Sequence, residues 1–119
     1  MVCSCCGSDA RFSFAWNMMS QRTHRLMKPY KTQLFTEAGN LTGTVAELGS
    51  GFGDALSLVV DPKLVEKLYL VEPNQFLHEK LMGTARGLGL TQEQTVLLGE
   101  SATNMSIPYA SVSGLACTL

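Results

Sequence analysis

The sequence has little excess charge of either sign and no long apolar run. Its 119 residues include nine Lys and Arg against ten Asp and Glu, a formal net charge of -1 at pH 7. No run of Lys or Arg is dense enough to follow a phosphate backbone, so nucleic acid is not expected as a partner. The apolar runs fall well short of the roughly 18 residues that span a bilayer, and no basic stretch followed by an apolar one opens the chain. We therefore expect a cytoplasmic protein without a transmembrane segment.

The cysteines do not form the patterns of a disulfide framework or a zinc site. Three of the four are Cys3, Cys5 and Cys6, and the fourth is Cys117. Structural zinc sites use paired Cys-x-x-Cys units separated by a loop, and Cys-Ser-Cys-Cys has neither that spacing nor a partner pair. No metal site is expected, and residues 1–13 are interpreted as a flexible N-terminal tail with reduced thiols.

The composition predicts one folded core, because hydrophobic residues make up 45% of the chain and charged residues only 16%. After the tail, apolar side chains recur at three- and four-residue spacing, which predicts a helical segment over residues 14–42. Pro29 interrupts this pattern, so we expect two helices or one kinked helix, the second part running from Pro29 to Ala38. Gly39 and Asn40 supply its end.

From residue 43 onward, short apolar runs alternate with helical stretches. This alternation is typical of βαβ units and predicts an α/β fold, a Rossmann-like parallel sheet with flanking helices. The four predicted strands are Thr44 to Leu48, Lys67 to Val71, Thr95 to Leu98 and Val112 to Thr118. Helices are predicted near Asp54 to Val60 and over Asn74 to Arg86, and a loop over Ser101 to Ser111. The sheet is expected to stop after about its fourth strand.

The first predicted strand runs directly into a glycine-rich turn with Gly49, Gly51 and Gly53, and a helix follows. Glycines in such a turn let a ligand approach the backbone, and the helix N-terminus is expected to present unpaired N–H donors. The pattern predicts a cradle for a nucleotide or an amino acid. It differs from the dinucleotide fingerprint Gly-x-Gly-x-x-Gly, because the third glycine comes one residue early. Asp54 takes the next place and would repel a pyrophosphate.

A second acidic residue, Glu72, ends the next predicted strand, 19 positions after Gly53. This is about the distance at which a carboxylate reaches the ribose hydroxyls of a nucleotide in such folds. A carboxylate accepts hydrogen bonds from two adjacent hydroxyls and attracts a positively charged ligand.

Glu47 before the turn, the three glycines, the following helix, and Glu72 with Pro73-Asn74 together resemble the class I S-adenosylmethionine-dependent methyltransferase family. The resemblance covers Thr44 to Leu119, about the first half of such a domain, so residues 43–119 are interpreted as a truncated one. Within the family the sequence looks most like the methyltransferase-like enzymes of small molecules, the thiol methyltransferase and ubiquinone-biosynthesis kind. That likeness rests on Pro29-Tyr30-Lys31 through Leu34-Phe35 and on Leu115 to Leu119.

The resemblance implies S-adenosylmethionine as cofactor and a role for each matching residue. The three glycines would approach its methionine portion, Glu47 its ammonium group and Glu72 the ribose hydroxyls. Pro73 and Phe76 would flank the adenine ring, although Phe76 is equally interpreted as a core residue. Glu100 or Ser101 would face the adenine amino group. No residue is assigned as a catalytic base, and His24 and His78 are interpreted as ordinary, partly exposed helix residues.

The sequence departs from the family at Ser111-Val112-Ser113-Gly114, which lacks the acidic residue that normally precedes the fourth strand. A half-sheet would leave a bare edge, which invites pairing with a partner chain or a full-length relative. Two functions therefore stay open, methyl transfer to a small-molecule acceptor and a non-catalytic binding module. A third, a fragment of a nicotinamide-dependent oxidoreductase, requires the later glycine that Asp54 displaces.

Overall fold

A computed structural model describes residues 7–39 and 41–117 as a parallel sheet with helices, as the alternating pattern predicts. In chain order the elements are α1 (Ser8–Ala38), β1 (Leu41–Leu48), α2 (Leu56–Val59), β2 (Val60–Val71), a 3-10 turn (Gln75–Leu77), α3 (His78–Gly87), β3 (Thr95–Leu98) and β4 (Gly114–Cys117). The Rossmann-like α/β prediction is thus confirmed.

The four strands are all parallel and lie in the order β3-β2-β1-β4. The pairing aligns Leu48, the last residue of β1, with Val71, the last residue of β2. The segments that follow these two strands therefore leave the sheet side by side. In sheets of this kind, ligands bind beyond the carboxyl ends of the strands where the strand order reverses, which here lies at the end of β1.

One face of the sheet carries the hydrophobic core. Val45, Leu68 and Leu70 point from the central strands to this face, and each is completely buried. The helices cover them with apolar residues, among them Leu56, Val59, Leu81 and Ala85. Each fully buried side chain of the size of leucine contributes about 2 kcal/mol, so this layer holds the ends of β1 and β2 in place.

The first helix is longer than the sequence predicted. It begins at Ser8 and runs without a break to Ala38, so the tail prediction is wrong from residue 8 to residue 13, while residues 1–6 of that tail lie outside the described part. The two-helix alternative is also wrong, because Pro29 lies inside the helix. Gly39 ends it as predicted, with a left-handed φ of +81° and a bond from its N–H to the carbonyl of Phe35 at 3.1 Å.

The strand bounds agree best at β3, which is as predicted. β1 and β2 begin earlier than predicted, at Leu41 and Val60, and β4 begins later, at Gly114. The early part of β1 was missed because its register is irregular around Gly43, where Ser113 donates its hydroxyl to the backbone of β1.

The helix predictions need similar corrections. Helix α2 is shorter than predicted because Asp54 belongs to the turn before it. The helix predicted from Asn74 starts with a 3-10 turn, because the side chain of Asn74 accepts a hydrogen bond from the N–H of Phe76. The predicted loop from Ser101 to Ser111 contains neither helix nor strand.

Within residues 7–39 and 41–117, no helix combines the length and apolarity needed to cross a bilayer. The same residues bring no three His, Cys, Asp or Glu side chains together in a group that could hold a metal ion. Cys117 is a free, exposed thiol. Cys3, Cys5 and Cys6 lie outside the described residues.

Candidate functional site

The glycine turn between β1 and α2 depends on backbone conformations that favour glycine. Gly49, Gly51 and Gly53 have φ values of +67°, +56° and +79°. For a residue with a side chain, each of these left-handed conformations costs about 1–2 kcal/mol of conformational free energy. Glu47 lies just before the turn and is completely buried, and its carbonyl accepts the hydroxyl of Ser50 at 3.2 Å. The three glycines are therefore required by the shape of the turn itself.

The backbone N–H groups of the turn are largely occupied within the protein. Those of Gly49 and Ser50 donate to the carbonyl of Val71, at 2.9 and 3.3 Å, and that of Gly53 donates to Ser50 at 2.8 Å. The N–H of Gly51 donates to the carboxylate of Glu72. These four N–H groups are therefore not free for a ligand, because three of them donate to acceptors at the end of β2 and that of Gly53 donates within the turn.

Glu72 joins the glycine turn to the segment after β2. Its side chain is 7% exposed, one oxygen accepts the N–H of Gly51 at 2.8 Å, and the other accepts that of Asn74 at 2.9 Å. Its backbone carbonyl lies 2.7 Å from Nε2 of His78. A carboxylate offers about four lone-pair positions, so about two are not used by these bonds. The structure therefore brings Glu72 next to Gly51, and it adds a structural role that the sequence did not indicate.

Helix α1 crosses the carboxyl ends of β1 and β2 and closes one side of the turn. Between them lies a cleft of about 50 Å³, lined from α1 by Trp16, Ser20, Thr23, His24, Met27 and Lys31, and from the turn by Gly49, Ser50, Gly51, Phe52, Asp54 and Ala55. Pockets that hold whole ligands measure about 300–1,000 Å³. A ligand of nucleotide size would therefore have to lie partly outside this cleft, or α1 would have to move.

The N-terminal half of α1 is anchored by the segment after β2. The side-chain amide of Asn74 donates to the carbonyl of Asp9 at 3.1 Å and to the hydroxyl of Ser13 at 3.0 Å. Lys80 of α3 donates to the side chain of Asn17 at 2.9 Å. Sequence reasoning quoted Asn74 only as part of a motif. Its polar side chain directly before a helix is a signal for capping, but nothing local to it indicates the contacts with α1.

Two residues of α3 hold the far side of the glycine turn. The hydroxyl of Thr84 donates to the carbonyl of Phe52 at 2.8 Å, and the ammonium group of Lys80 lies 4.2 Å from the centroid of the Phe52 ring. A cation over an aromatic face contributes about 0.5–1 kcal/mol at an exposed site. These contacts, with those of Glu72, fix the turn from both sides.

The residues predicted near the adenine ring lie on neighbouring segments. Pro73 is exposed beside Glu72, and Phe76 is 54% exposed, so its interpretation as a core residue is wrong. Glu100 accepts the N–H of Ser106 at 2.7 Å, and this bond lowers the pKa of the Glu100 carboxyl. The hydroxyl of Ser101 pairs with that of Thr103 at 2.9 Å. Both predicted residues thus take part in closing the loop after β3.

The fold occurs in several solved structures, although no protein-family model and no curated protein matches the chain. One is a protein of Methanococcus maripaludis assigned as a candidate S-adenosyl-L-methionine-dependent methyltransferase. It has a TM-score of 0.70 and 13% identity over 98% of this chain and 53% of its own. An S-adenosylmethionine-dependent methyltransferase of Clostridium acetobutylicum has a TM-score of 0.59 and 14% identity, over 93% of this chain and 44% of its own.

The YcgJ protein of Bacillus subtilis also matches, with a TM-score of 0.59 and 16% identity over 74% of this chain and 37% of its own. This chain thus spans about half the length of these proteins or less. The TM-scores establish a shared fold, and identities of this size do not transfer an activity. The strand order, the glycine turn and these likenesses agree: over the part of those proteins that it spans, the chain has the fold of the S-adenosylmethionine-dependent methyltransferases.

Proposed function

We propose that the chain binds S-adenosylmethionine at the glycine turn and forms the cofactor-binding part of a methyltransferase acting on a small-molecule acceptor. The observation that carries this proposal is the bond between Gly51 and Glu72. It places a buried carboxylate beside a glycine-rich turn at the point where the strand order reverses. A nucleoside with an amino-acid substituent matches this arrangement, because the carboxylate binds hydroxyls while the turn admits the chain attached to the ribose.

The described residues fit such a ligand. A Cβ atom placed on Gly49 would meet no other atom within 4 Å, so the space beside that glycine is open. Glu72 keeps acceptor positions for the ribose hydroxyls. The exposed Pro73 and Phe76 stand next to it, where they would contact the adenine ring. In this proposal Glu47 helps to bind the ammonium group, and Glu100 or Ser101 binds the adenine amino group.

The chemistry requires orientation more than proton transfer. When bound, S-adenosylmethionine would supply a methyl group on a positively charged sulfur; transfer to a nucleophile of the acceptor would break the methyl–sulfur bond and leave the neutral thioether. Alignment of two reactants accounts for a large share of the barrier in such a displacement, about 7–11 kcal/mol in favourable cases. The contribution proposed for this chain is therefore to fix the cofactor, through the glycine turn at one end and Glu72 at the ribose. No described side chain is assigned as the base.

Isothermal titration of the 119-residue chain with S-adenosylmethionine tests this proposal. We expect saturable binding that weakens about 10- to 100-fold in Glu72→Ala, because hydrogen bonds to a charged group are lost. Glu72→Gln should also weaken binding, since its amide NH2 would face one of the two backbone N–H donors. Glu93→Gln, which changes an exposed carboxylate, is the matched control. NAD is titrated in parallel. Binding of NAD alone would favour the oxidoreductase alternative, and binding of neither by folded protein would contradict the proposal.

A second candidate function follows from the position of β4 at the edge of the sheet. Leu115 on this strand is 59% exposed and borders an open groove lined also by Ala46, Met105 and Ile107. An exposed strand edge with apolar side chains is a template for a further strand. The corresponding proposal is a binding module that pairs along β4 with a full-length relative of the same fold.

The mass of the complex in solution tests this second candidate. We expect the wild-type chain to form a complex with such a relative, and Leu115→Lys to prevent it by placing a charge on the strand that pairs. Leu64→Lys, at another exposed leucine, should leave the complex intact. If both variants or neither weaken association, β4 is not the pairing strand.

A further inference from the structure

The cleft between α1 and the glycine turn contains buried polar atoms that lack partners. Ser20 is 1% exposed, and its hydroxyl oxygen has no hydrogen-bond partner among residues 7–39 and 41–117. The same holds, within those residues, for the buried Nδ1 atom of His24. Both side chains line the cleft, and their spacing of four residues places them one above the other on the same face of α1. Buried polar atoms are almost always paired, so two unpaired atoms at one cleft indicate a ligand.

Four N–H groups of the turn are not available to an anionic group in this cleft. The N–H groups of Gly49, Ser50, Gly51 and Gly53 already donate to acceptors within the protein. A carboxylate accepts hydrogen bonds and donates none. The opposite wall, α1, carries two groups that can donate to a carboxylate on the cleft side, the hydroxyl of Ser20 and the imidazole of His24.

The two walls of the cleft also differ in charge. The α1 wall carries Ser20 and His24 together with Lys31, and the wall formed by the turn carries Asp54. An amino-acid group with its carboxylate toward α1 and its ammonium toward the turn matches this distribution. The volume of about 50 Å³ has room for a few water-sized groups, which suits the charged end of a ligand and not a whole nucleotide.

We propose that Ser20 and His24 bind the carboxylate at the amino-acid end of the cofactor. The hydroxyl of Ser20 donates to one carboxylate oxygen, and the imidazole of His24, with its proton on Nδ1, donates to the other. Asp54 faces the ammonium group from the turn, in addition to the role proposed above for Glu47. This inference rests on the proposed binding of S-adenosylmethionine and adds the residues that recognise its amino-acid end.

Two ligands that differ in one group separate this inference from the proposed function. S-adenosylmethionine carries the carboxylate, and decarboxylated S-adenosylmethionine is the same molecule without it. Both are titrated by calorimetry against the wild-type chain, Ser20→Ala, His24→Leu and the control Ser57→Ala, which alters an exposed serine of α2. Unfolding of each variant in urea is measured alongside.

We expect Ser20→Ala and His24→Leu each to weaken binding of S-adenosylmethionine about 10-fold or more, the effect of losing a hydrogen bond to a charged group. Binding of the decarboxylated ligand should be unchanged, so that wild-type discrimination between the two ligands disappears. Ser20→Ala should be at least as stable as the wild type, because it removes an unpaired buried hydroxyl. A residue with only a structural role would not give this combination.

The possible failures are distinct. If the wild type binds both ligands equally and the variants change neither affinity, Ser20 and His24 do not bind the carboxylate, and the proposed function stands. If Ser20→Ala weakens binding of both ligands by the same factor, the hydroxyl affects binding indirectly, through the packing of α1, and the inference is wrong. If folded protein binds neither ligand, the proposed function and this inference fail together.

Discussion

Gly53 is the position in the glycine turn where a single added methyl group should destabilise the fold most. Its φ of +79° is left-handed, and a Cβ atom there would lie 2.9 Å from a methyl carbon of Leu56. It would also lie 3.1 Å from side-chain carbons of both Leu81 and Thr84. Two of these neighbours belong to α3, so the turn and that helix would be pushed apart.

The magnitude follows from two contributions. The left-handed conformation costs a residue with a side chain about 1–2 kcal/mol. Overpacking a buried site costs about 1–3 kcal/mol more, reduced here because the crowded atoms are side-chain ends that can rotate. We expect Gly53→Ala to lower the free energy of unfolding by about 2–4 kcal/mol, a large part of the 5–15 kcal/mol typical of a domain. Gly49→Ala shares the conformational cost but meets no atom within 4 Å, so it should lose only about 1–2 kcal/mol.

Equilibrium unfolding in urea measures the difference, with Trp16, the single tryptophan, as the fluorescent probe. The two variants should reverse their order in cofactor titrations, because the open space beside Gly49 is space for the ligand in our proposal. Gly49→Ala should therefore bind S-adenosylmethionine poorly while remaining well folded. Equal losses of stability in the two variants would refute the reasoning, since crowding against Leu56 and α3 is the only difference claimed between them.

Three further changes test individual contacts. Thr84→Val removes the hydroxyl bond to Phe52 with little change of shape and should lower the free energy of unfolding by about 1 kcal/mol in urea denaturation. Pro29→Ala restores a helix N–H donor and should raise the melting temperature, as a proline inside a helix costs up to about 3 kcal/mol; an unchanged value would show that α1 has adapted to it. The bond from Ser106 lowers the pKa of Glu100 below 4.5 in the folded state. The ionised Glu100 therefore stabilises the fold above pH 4.5, and this contribution is lost as the pH falls through the pKa of the folded state. Glu100→Gln should reduce this acid dependence in unfolding measured between about pH 5 and pH 3.

The sequence predicted the relation of Glu72 to the glycine turn because that relation follows from parallel pairing. Once two parallel strands are adjacent, their carboxyl ends lie at one edge, and the residues that follow them meet there. β3 was also predicted at its observed bounds, since a short apolar run between polar segments is unambiguous in this pattern.

The closure of the cleft by α1 was not predictable in the same way. The helix extends to Ser8, and its first turns contact Asn74, more than 60 positions away. Residues from Ser8 to Ser13 have no regular apolar spacing that would indicate a helix. Their structure is consistent with stabilisation by these distant contacts, since tertiary packing commonly outweighs local propensity. His24 is a partly exposed helix residue, as predicted, but its position in the cleft depends on the turn after β1, which the local sequence does not indicate.

Glu72 and Ser20 differ in what a substitution at each position can establish. Glu72 pairs with two backbone N–H groups, so Glu72→Ala should weaken cofactor binding and also lower the free energy of unfolding by about 2–4 kcal/mol. Loss of binding in that variant therefore follows from either a lost ligand contact or a displaced turn. Ser20 has no partner to lose among the described residues, so Ser20→Ala should change stability and binding in opposite directions. Because only a ligand contact produces that opposition, the serine on α1 is the sharper test of the cofactor site than the glutamate in the motif.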